Sequence, residues 1–403
     1  MDKIKLLFRN PKLFFKKVYN KLTGSSQPTL MASNFDPFDN HTHLLYSGEG
    51  EGGLSHLRLW IPHFLKAGVR FAVMVRNYEL YRSLVELYPD LSILYGKNEK
   101  NVRFFLKRLV FLKACFYPSN TGNNLHLLKH TDVNHIFIGH GDSDKSGSAH
   151  KYFRVYDENW VAGEAHVDRF RNEGFDFRGL KFVKVGRPNL KELLQLSQKP
   201  WRERFEGKLK LLYLTTWEGV FKEQDYTSAY IMKDILKNVE DMGIFDEIAV
   251  KLHPWTGRRN PDLVSLPKEL EALAEKFDTK MVLYSPDVAL EEAIKEANVF
   301  ICDISAVVSE VLAANSPIFL YYPKGKKIRL AKSKMDYDDY CYLFSNEEEL
   351  MKKLRNVIVH GSDSLLPARE RAMEYILGKE ETLKENFVNH LREIGSSNGH
   401  RQI

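Results

Sequence analysis

Twice along this chain of 403 residues, short runs of β-branched, aromatic and aliphatic side chains alternate with helical or polar stretches. The first series falls at 71–75, 91–95, 114–117, 136–138 and 160–162. A second begins after the charged connection 200–208 and falls at 211–214, 248–250, 281–284, 299–302 and 318–321. Strands that alternate with helices pair in parallel through crossover connections, which predicts an α/β fold of two doubly wound Rossmann-type domains. The spacing sets them at 35–190 and 200–365. Amphipathic helices over 347–394 and a polar tail place C-terminal helices in 366–403.

Charge is unevenly placed. The chain carries 59 Lys and Arg against 53 Asp and Glu, a net of +6, and seven of those bases with one acid lie in residues 1–22. The rest is balanced, 52 against 52, so the sequence predicts no nucleic-acid groove, which would need a basic face on a domain. Within 1–22, Asn10 and Pro11 start a helix whose Phe14, Val18 and Leu22 form a stripe rimmed by Lys12, Lys16, Lys17 and Lys21. That pattern suits an anionic membrane surface, although a helix packed on its own domain fits as well. Residues 23–34 read as a polar linker. Cys115, Cys302 and Cys341 are far apart and match no disulfide or zinc pattern, no apolar run reaches the roughly 18 residues of a membrane span, and no signal peptide is legible. The expected location is cytoplasmic, peripheral on the inner face of the cell membrane, and no cofactor or metal is expected.

Chemistry gathers where strands end. After the run at 136–138 come Gly139, His140 and Gly141, then Asp142, Ser143 and Lys145. Glycines beside His140 let a substrate approach the imidazole, which makes it a candidate proton acceptor; a turn histidine without chemistry fits the spacing equally. In the second series Thr215 and Thr216 follow 211–214, Lys251 and His253 follow 248–250, and Asp303 and Ser305 follow 299–302 with Glu310 two turns on. Hydroxyls, a cation with an imidazole, and an Asp-x-Ser helix start together describe a diphosphate site. Taken singly, Asp303 and Ser305 fit an N-cap, Lys251 a surface charge and Glu310 a plain helix carboxylate. Earlier, His41 and His43 have the spacing of a metal pair but lack further ligands, and the glycine-rich loop 47–53 suits an acceptor hydroxyl or a flexible connection.

The segments H-G-x-x-x-K at His140 to Lys145, K-x-H-P at Lys251 to Pro254, and D-x-S-x(4)-E at Asp303 to Glu310 resemble the CDP-glycerol:glycerophosphate glycerophosphotransferases of teichoic-acid and capsule synthesis. The likeness spans about 134–322. It implies a GT-B-like architecture whose two domains face a cleft. It also implies His140 as base on the acceptor hydroxyl, His253 at the nucleotide diphosphate, and Asp303 and Ser305 at the phosphate-binding helix start. The family's Thr-Pro is replaced by Asp142 and Ser143, and its second serine by Ala306.

The expected reaction is transfer of a polyol phosphate, glycerol phosphate foremost, from a CDP-alditol to a hydroxyl of a lipid-linked saccharide, with CMP leaving. His140 and His253 are the expected catalytic pair. Lys251, Thr215, Thr216, Asp303, Ser305 and Glu310 are placed on the donor, and Gly139, Gly141, Asp142, Ser143 and Lys145 on the acceptor side. Alternatives are a GT-B sugar transferase with Glu310 on the nucleotide ribose, a non-catalytic polysaccharide- or nucleotide-binding module, and a hydrolase built on His41 and His43.

Overall fold

The structure is a computed structural model that describes residues 28–141, 149–326, 328, 330–378 and 386–396. The basic stretch 1–22, together with Asp142, Ser143 and Lys145, lies outside the described residues. The chain divides into two compact units, residues 1–135 with 393–403, and residues 136–392.

The first unit holds β1 (Leu30–Ser33), β2 (His43–Ser47), β3 (Phe71–Val75), β4 (Ser92–Gly96) and β5 (Ala114–Tyr117), in the order β1-β4-β3-β2-β5. All pairs are parallel except β1 with β4. Between them run α1 (Gly53–Ala67), α2 (Tyr78–Leu87) and α3 (Glu99–Leu106). Asn77 and Asn98 start α2 and α3 by accepting from Leu80 N and Asn101 N, the usual service of a short amide side chain to an orphan N–H. Two strands depart from the sequence reading. The second half of the stretch read as linker forms β1, and β2, entirely buried at the centre of the sheet, is a strand that the reading passed over. His41 and His43 frame its start, and such residues do not advertise a strand.

The second unit opens with parallel strands β6 (Asn134–Phe137, across the boundary), β7 (Glu158–Val161) and β8 (Lys181–Lys184). α4 (Glu164–Asn172) and α5 (Lys191–Leu196) follow β7 and β8. A six-stranded, fully parallel sheet comes next: β9 (Lys210–Leu214), β10 (Glu247–Lys251), β11 (Lys280–Leu283), β12 (Val299–Asp303), β13 (Ile318–Tyr321) and β14 (Tyr342–Phe344). Its order, β11-β10-β9-β12-β13-β14, reverses direction between β9 and β12. Leu212, Leu214, Phe300 and Cys302 pack into one apolar cluster, and Leu211, Tyr213, Val299 and Ile301 into another. Alternate residues thus bury opposite faces, so these strands read as unbroken apolar runs. α6 (Met232–Asp241), α7 (Leu266–Ala274), α8 (Leu290–Lys295) and α9 (Val307–Leu312) make the crossovers, and α10 (Glu347–Leu354), α11 (Leu366–Ala372) and α12 (Asn386–Ser396) close the chain.

Candidate functional site

In an open parallel sheet, the chain leaves neighbouring strands in opposite directions where the order reverses, and the crevice so opened at their carboxyl ends is where ligands sit. Between β9 and β12 that crevice is built around Asp303. Its carboxylate is fully buried and accepts from Thr216 N at 2.9 Å, Thr227 Oγ1 at 3.1 Å and Ser228 N at 3.1 Å. Burial pushes the carboxyl up to about 6, and the hydrogen bonds pull the other way. The side chain of Asp303 is therefore occupied with holding the loops after β9 and before α6. Beside it Thr215 is 5% exposed, and its Oγ1 has no hydrogen-bond partner among the described residues. A buried hydroxyl left unpaired costs about 1–3 kcal/mol, which marks it as a group awaiting an acceptor.

At the end of β10 the Lys251 ammonium reaches the carbonyl of Ser285 at 3.0 Å, and burial lowers its pKa. Its charge thus sits among backbone oxygens at the rim of the sheet. His253 accepts from Trp255 N at Nδ1 (3.0 Å), which places the ring proton on Nε2. The ring lies nearly parallel to Trp217, 24° and 6.2 Å between centroids, with Trp255 at right angles to Trp217. The turn that carries His253 is fixed by Glu218, fully buried, which accepts from Gly257 N at 3.1 Å and Asn260 N at 2.9 Å. Nothing in its sequence context distinguished Glu218, because its partners lie about 40 residues away and are backbone groups.

The segment entering α9 is short. Ser305 Oγ accepts from Val307 N at 3.3 Å, and α9 has six residues, so the helix-dipole contribution expected from the sequence is small. Four residues past Ala306, Glu310 is 8% exposed, and its side-chain carboxyl makes no hydrogen bond among the described residues. Burial, reinforced by Glu291, pushes its carboxyl up to about 8, and Arg187 offsets part of the shift. Arg187, 5% exposed, donates from Nη2 to the His140 carbonyl at 3.2 Å. His140 itself is an exposed residue, and it follows Gly139, whose φ of +63° a side chain would oppose. Gly141 runs against the start of α9: a Cβ there would come within 3.1 Å of Ala306 Cβ. The geometry thus brings the His140 loop, Arg187 and the Ala306 to Glu310 segment together. It brings Thr215, Thr216 and Asp303 together in the same unit.

Arg187 is not singled out by the sequence because β8, Lys181–Lys184, is only two apolar residues between two lysines and does not stand out as a buried strand; Gly186 and Arg187 after it are the available signal. His41 bonds Ser92 Oγ at 2.9 Å and His43 bonds Thr42 Oγ1 at 2.7 Å while stacking on Phe116. Both histidines are therefore packed against hydroxyls and rings within the first unit.

No protein-family model matches this sequence, and no curated protein is similar to it. Solved structures do match. The wall teichoic acid polymerase TagF is similar over 97% of both chains, with a TM-score of 0.55 at 14% identity. A glycosyltransferase from Rickettsia africae matches 90% of this chain and 100% of its own, with a TM-score of 0.53 at 12% identity. MnaA of S. aureus, solved with UDP, matches 87% of this chain and 96% of its own, with a TM-score of 0.53 at 12% identity. At these identities the likeness defines the fold, the GT-B arrangement of parallel-dominated α/β sheets.

Proposed function

We propose that the chain transfers a polyol phosphate, glycerol phosphate foremost, from a CDP-alditol to a hydroxyl of a lipid-linked saccharide during synthesis of a surface polymer. The observation that carries this reading is the crevice between β9 and β12, where the unpaired Thr215 hydroxyl sits beside the loop that Asp303 holds. A diphosphate offers the acceptor oxygens that Thr215 lacks. Likeness to TagF supports the donor class, since a histidine-to-asparagine variant of that polymerase was soaked with CDPG.

In this reading the acceptor oxygen attacks the phosphorus that bears the polyol. A new phosphodiester bond forms, the bridging P–O bond breaks with its electron pair passing to CMP, and the acceptor proton goes to His140. His253 donates from Nε2 to the diphosphate, and Lys251 adds positive charge at the strand end. Asp303 acts as a positioning residue for Thr215 and Thr216. Gly139 and Gly141 shape the acceptor side, to which the sequence also assigns Asp142, Ser143 and Lys145. The proposed domains are 35–190 for the acceptor and 200–365 for the donor, with 366–403 as C-terminal helices and tail. Residues 1–22 would bring the enzyme to the membrane surface where a lipid-linked acceptor lies. No helix among the described residues is long and apolar enough to cross a membrane.

The second reading is a nucleotide-sugar transferase, favoured by Glu310, a buried carboxyl with no hydrogen-bond partner among the described residues, which suits a ribose diol. A donor panel decides. The first reading predicts CMP release from CDP-glycerol, dependent on a glycolipid acceptor and lost in His140→Ala. Release of UDP, GDP or CMP from a nucleotide sugar, with CDP-glycerol untouched, would replace it.

A further inference from the structure

The first unit has a direction reversal of its own. Reading out from β2, the chain builds β3 and β4 on one side and then places β5 on the other, so the order β4-β3-β2-β5 opens a crevice between β2 and β5 at their carboxyl ends. A cavity of about 250 Å³ lies there. The residue after β2, the residue after β3 and the residue after β4 all line it: Gly48, Arg76 and Lys97. Asn123, beyond β5, closes the other side.

The lining is built with care for one cation. Arg76 donates from Nη2 to the Lys97 carbonyl at 2.7 Å and from Nη1 to Asn123 Oδ1 at 3.1 Å and to His126 Nδ1. All three acceptors are formally neutral, no carboxylate pairs with this guanidinium among the described residues, and its Nε is buried without a partner. Asn123 in turn donates to the Gly48 carbonyl at 2.7 Å, and Gly48 packs so closely that a Cβ would fall 2.7 Å from Asn123 Cβ. Backbone and cation are therefore locked to one another. Lys97 adds a second positive charge, and Glu49 is the one acid among the described lining residues, engaged by His56 Nδ1 at 2.8 Å.

Arg76 and Lys97, neither paired with a carboxylate among the described residues, call for an anion; the neighbouring carboxylate and the Asn77 and Asn123 amides suit hydroxyls. The volume is below that of a drug-sized pocket. We propose that this crevice is a second ligand site that binds the phosphate ester of a small polyol, phosphate toward Arg76 and Lys97 and hydroxyls toward Glu49. The site stands whatever nucleotide the β9/β12 crevice takes. A free polyol phosphate and the phosphopolyol end of a polymer share this chemistry.

The test titrates the full chain, without nucleotide, with glycerol 3-phosphate, glycerophosphoglycerol, glycerol and inorganic phosphate. One of the two esters binds at least about 10-fold more tightly than glycerol, and Arg76→Gln weakens it about 10-fold or more, as loss of a charge-assisted hydrogen bond does. Preference for the monoester identifies a free metabolite, and preference for the diester identifies a polymer end. Glu49→Gln weakens the esters and leaves inorganic phosphate unchanged. Gly50→Val serves as a variant safe for folding, because a Cβ at Gly50 meets no protein atom within 4 Å; it too weakens the esters. Absence of binding by both esters, or binding undiminished in Arg76→Gln and Gly50→Val, overturns the proposal. CDP-glycerol titrated separately decides the donor reading and leaves this one untouched.

Discussion

Where β2 and β5 diverge, the chain turns outward through Gly48 and Asn123, and the side chains that face the crevice are Arg76 and Lys97. Where β9 and β12 diverge, it turns through Thr215 and Asp303, and the charged group lies under the turn, fully buried. Both crevices arise from the same reversal of strand order. In the first, cations line an open cavity and a neutral amide holds the loop. In the second, a buried acid holds the loops and a hydroxyl is left over for a ligand. Topology decides that a crevice exists, and the residues one or two places beyond each strand decide its ligand. A charge used as scaffold is also expected to matter more to folding than a charge used as a hook.

The largest effect expected from that contrast is catalytic. His140→Ala should lower CMP release from CDP-glycerol about 10²- to 10⁴-fold, the range for loss of a general base. Because the residue is exposed, the melting temperature should move little; a folded variant that stays active removes His140 from the chemistry.

Asp303→Asn sharpens the scaffold side of the comparison. Replacing an oxygen that accepts two backbone N–H groups and a hydroxyl should cost about 2–4 kcal/mol in denaturant unfolding, against about 1 kcal/mol or less for Arg76→Gln, whose acceptors are neutral and near solvent. Equal costs in the two crevices would break the contrast.

Glu310 supplies a pH signature. With its carboxyl raised to about 8 when folded, the stability it gives is fully present below its unfolded value near 4.5 and is lost as pH rises through about 8. Glu310→Gln should therefore gain stability over the parent progressively between pH 5 and 8, by about 2 kcal/mol or more, and the gap should level off above pH 9. A pH-independent gap would mean that Glu310 is ionised in the native state. The smallest effect belongs to Thr215→Val. Removing an unpaired buried hydroxyl should leave stability unchanged or raise it by about 1 kcal/mol, while CDP-glycerol affinity falls about 3- to 10-fold.

Much of this is legible in the sequence because fully buried parallel strands write themselves as apolar runs: β3, β5 and β13 fall at the expected residues, β9 and β12 extend one residue at one end, and β10 one residue at each end. The residues just past those runs could be named for the same reason. Asp303 was visible as a strand-end acid, but its use was not, since that depends on Thr216, Thr227 and Ser228, whose backbones fold over it. Arg187 and Glu218 are not legible because each works through partners 47 and 39 residues away respectively. β2 escaped because its flanking histidines blur its start, and with it went the reversal that opens the first crevice. The glycine-rich loop at 47–53 is plain in the sequence, yet the cations that give it meaning come from the residues just after β3 and β4.

Amide hydrogen exchange of the full chain with and without CDP-glycerol tests the division of labour most directly. Protection of the peptides containing 215–217, 251–255 and 303–306, with 48–50, 76–77 and 97 unchanged, is the result expected. Protection confined to 48–50, 76–77 and 97 would put the nucleotide in the other crevice and contradict the assignment.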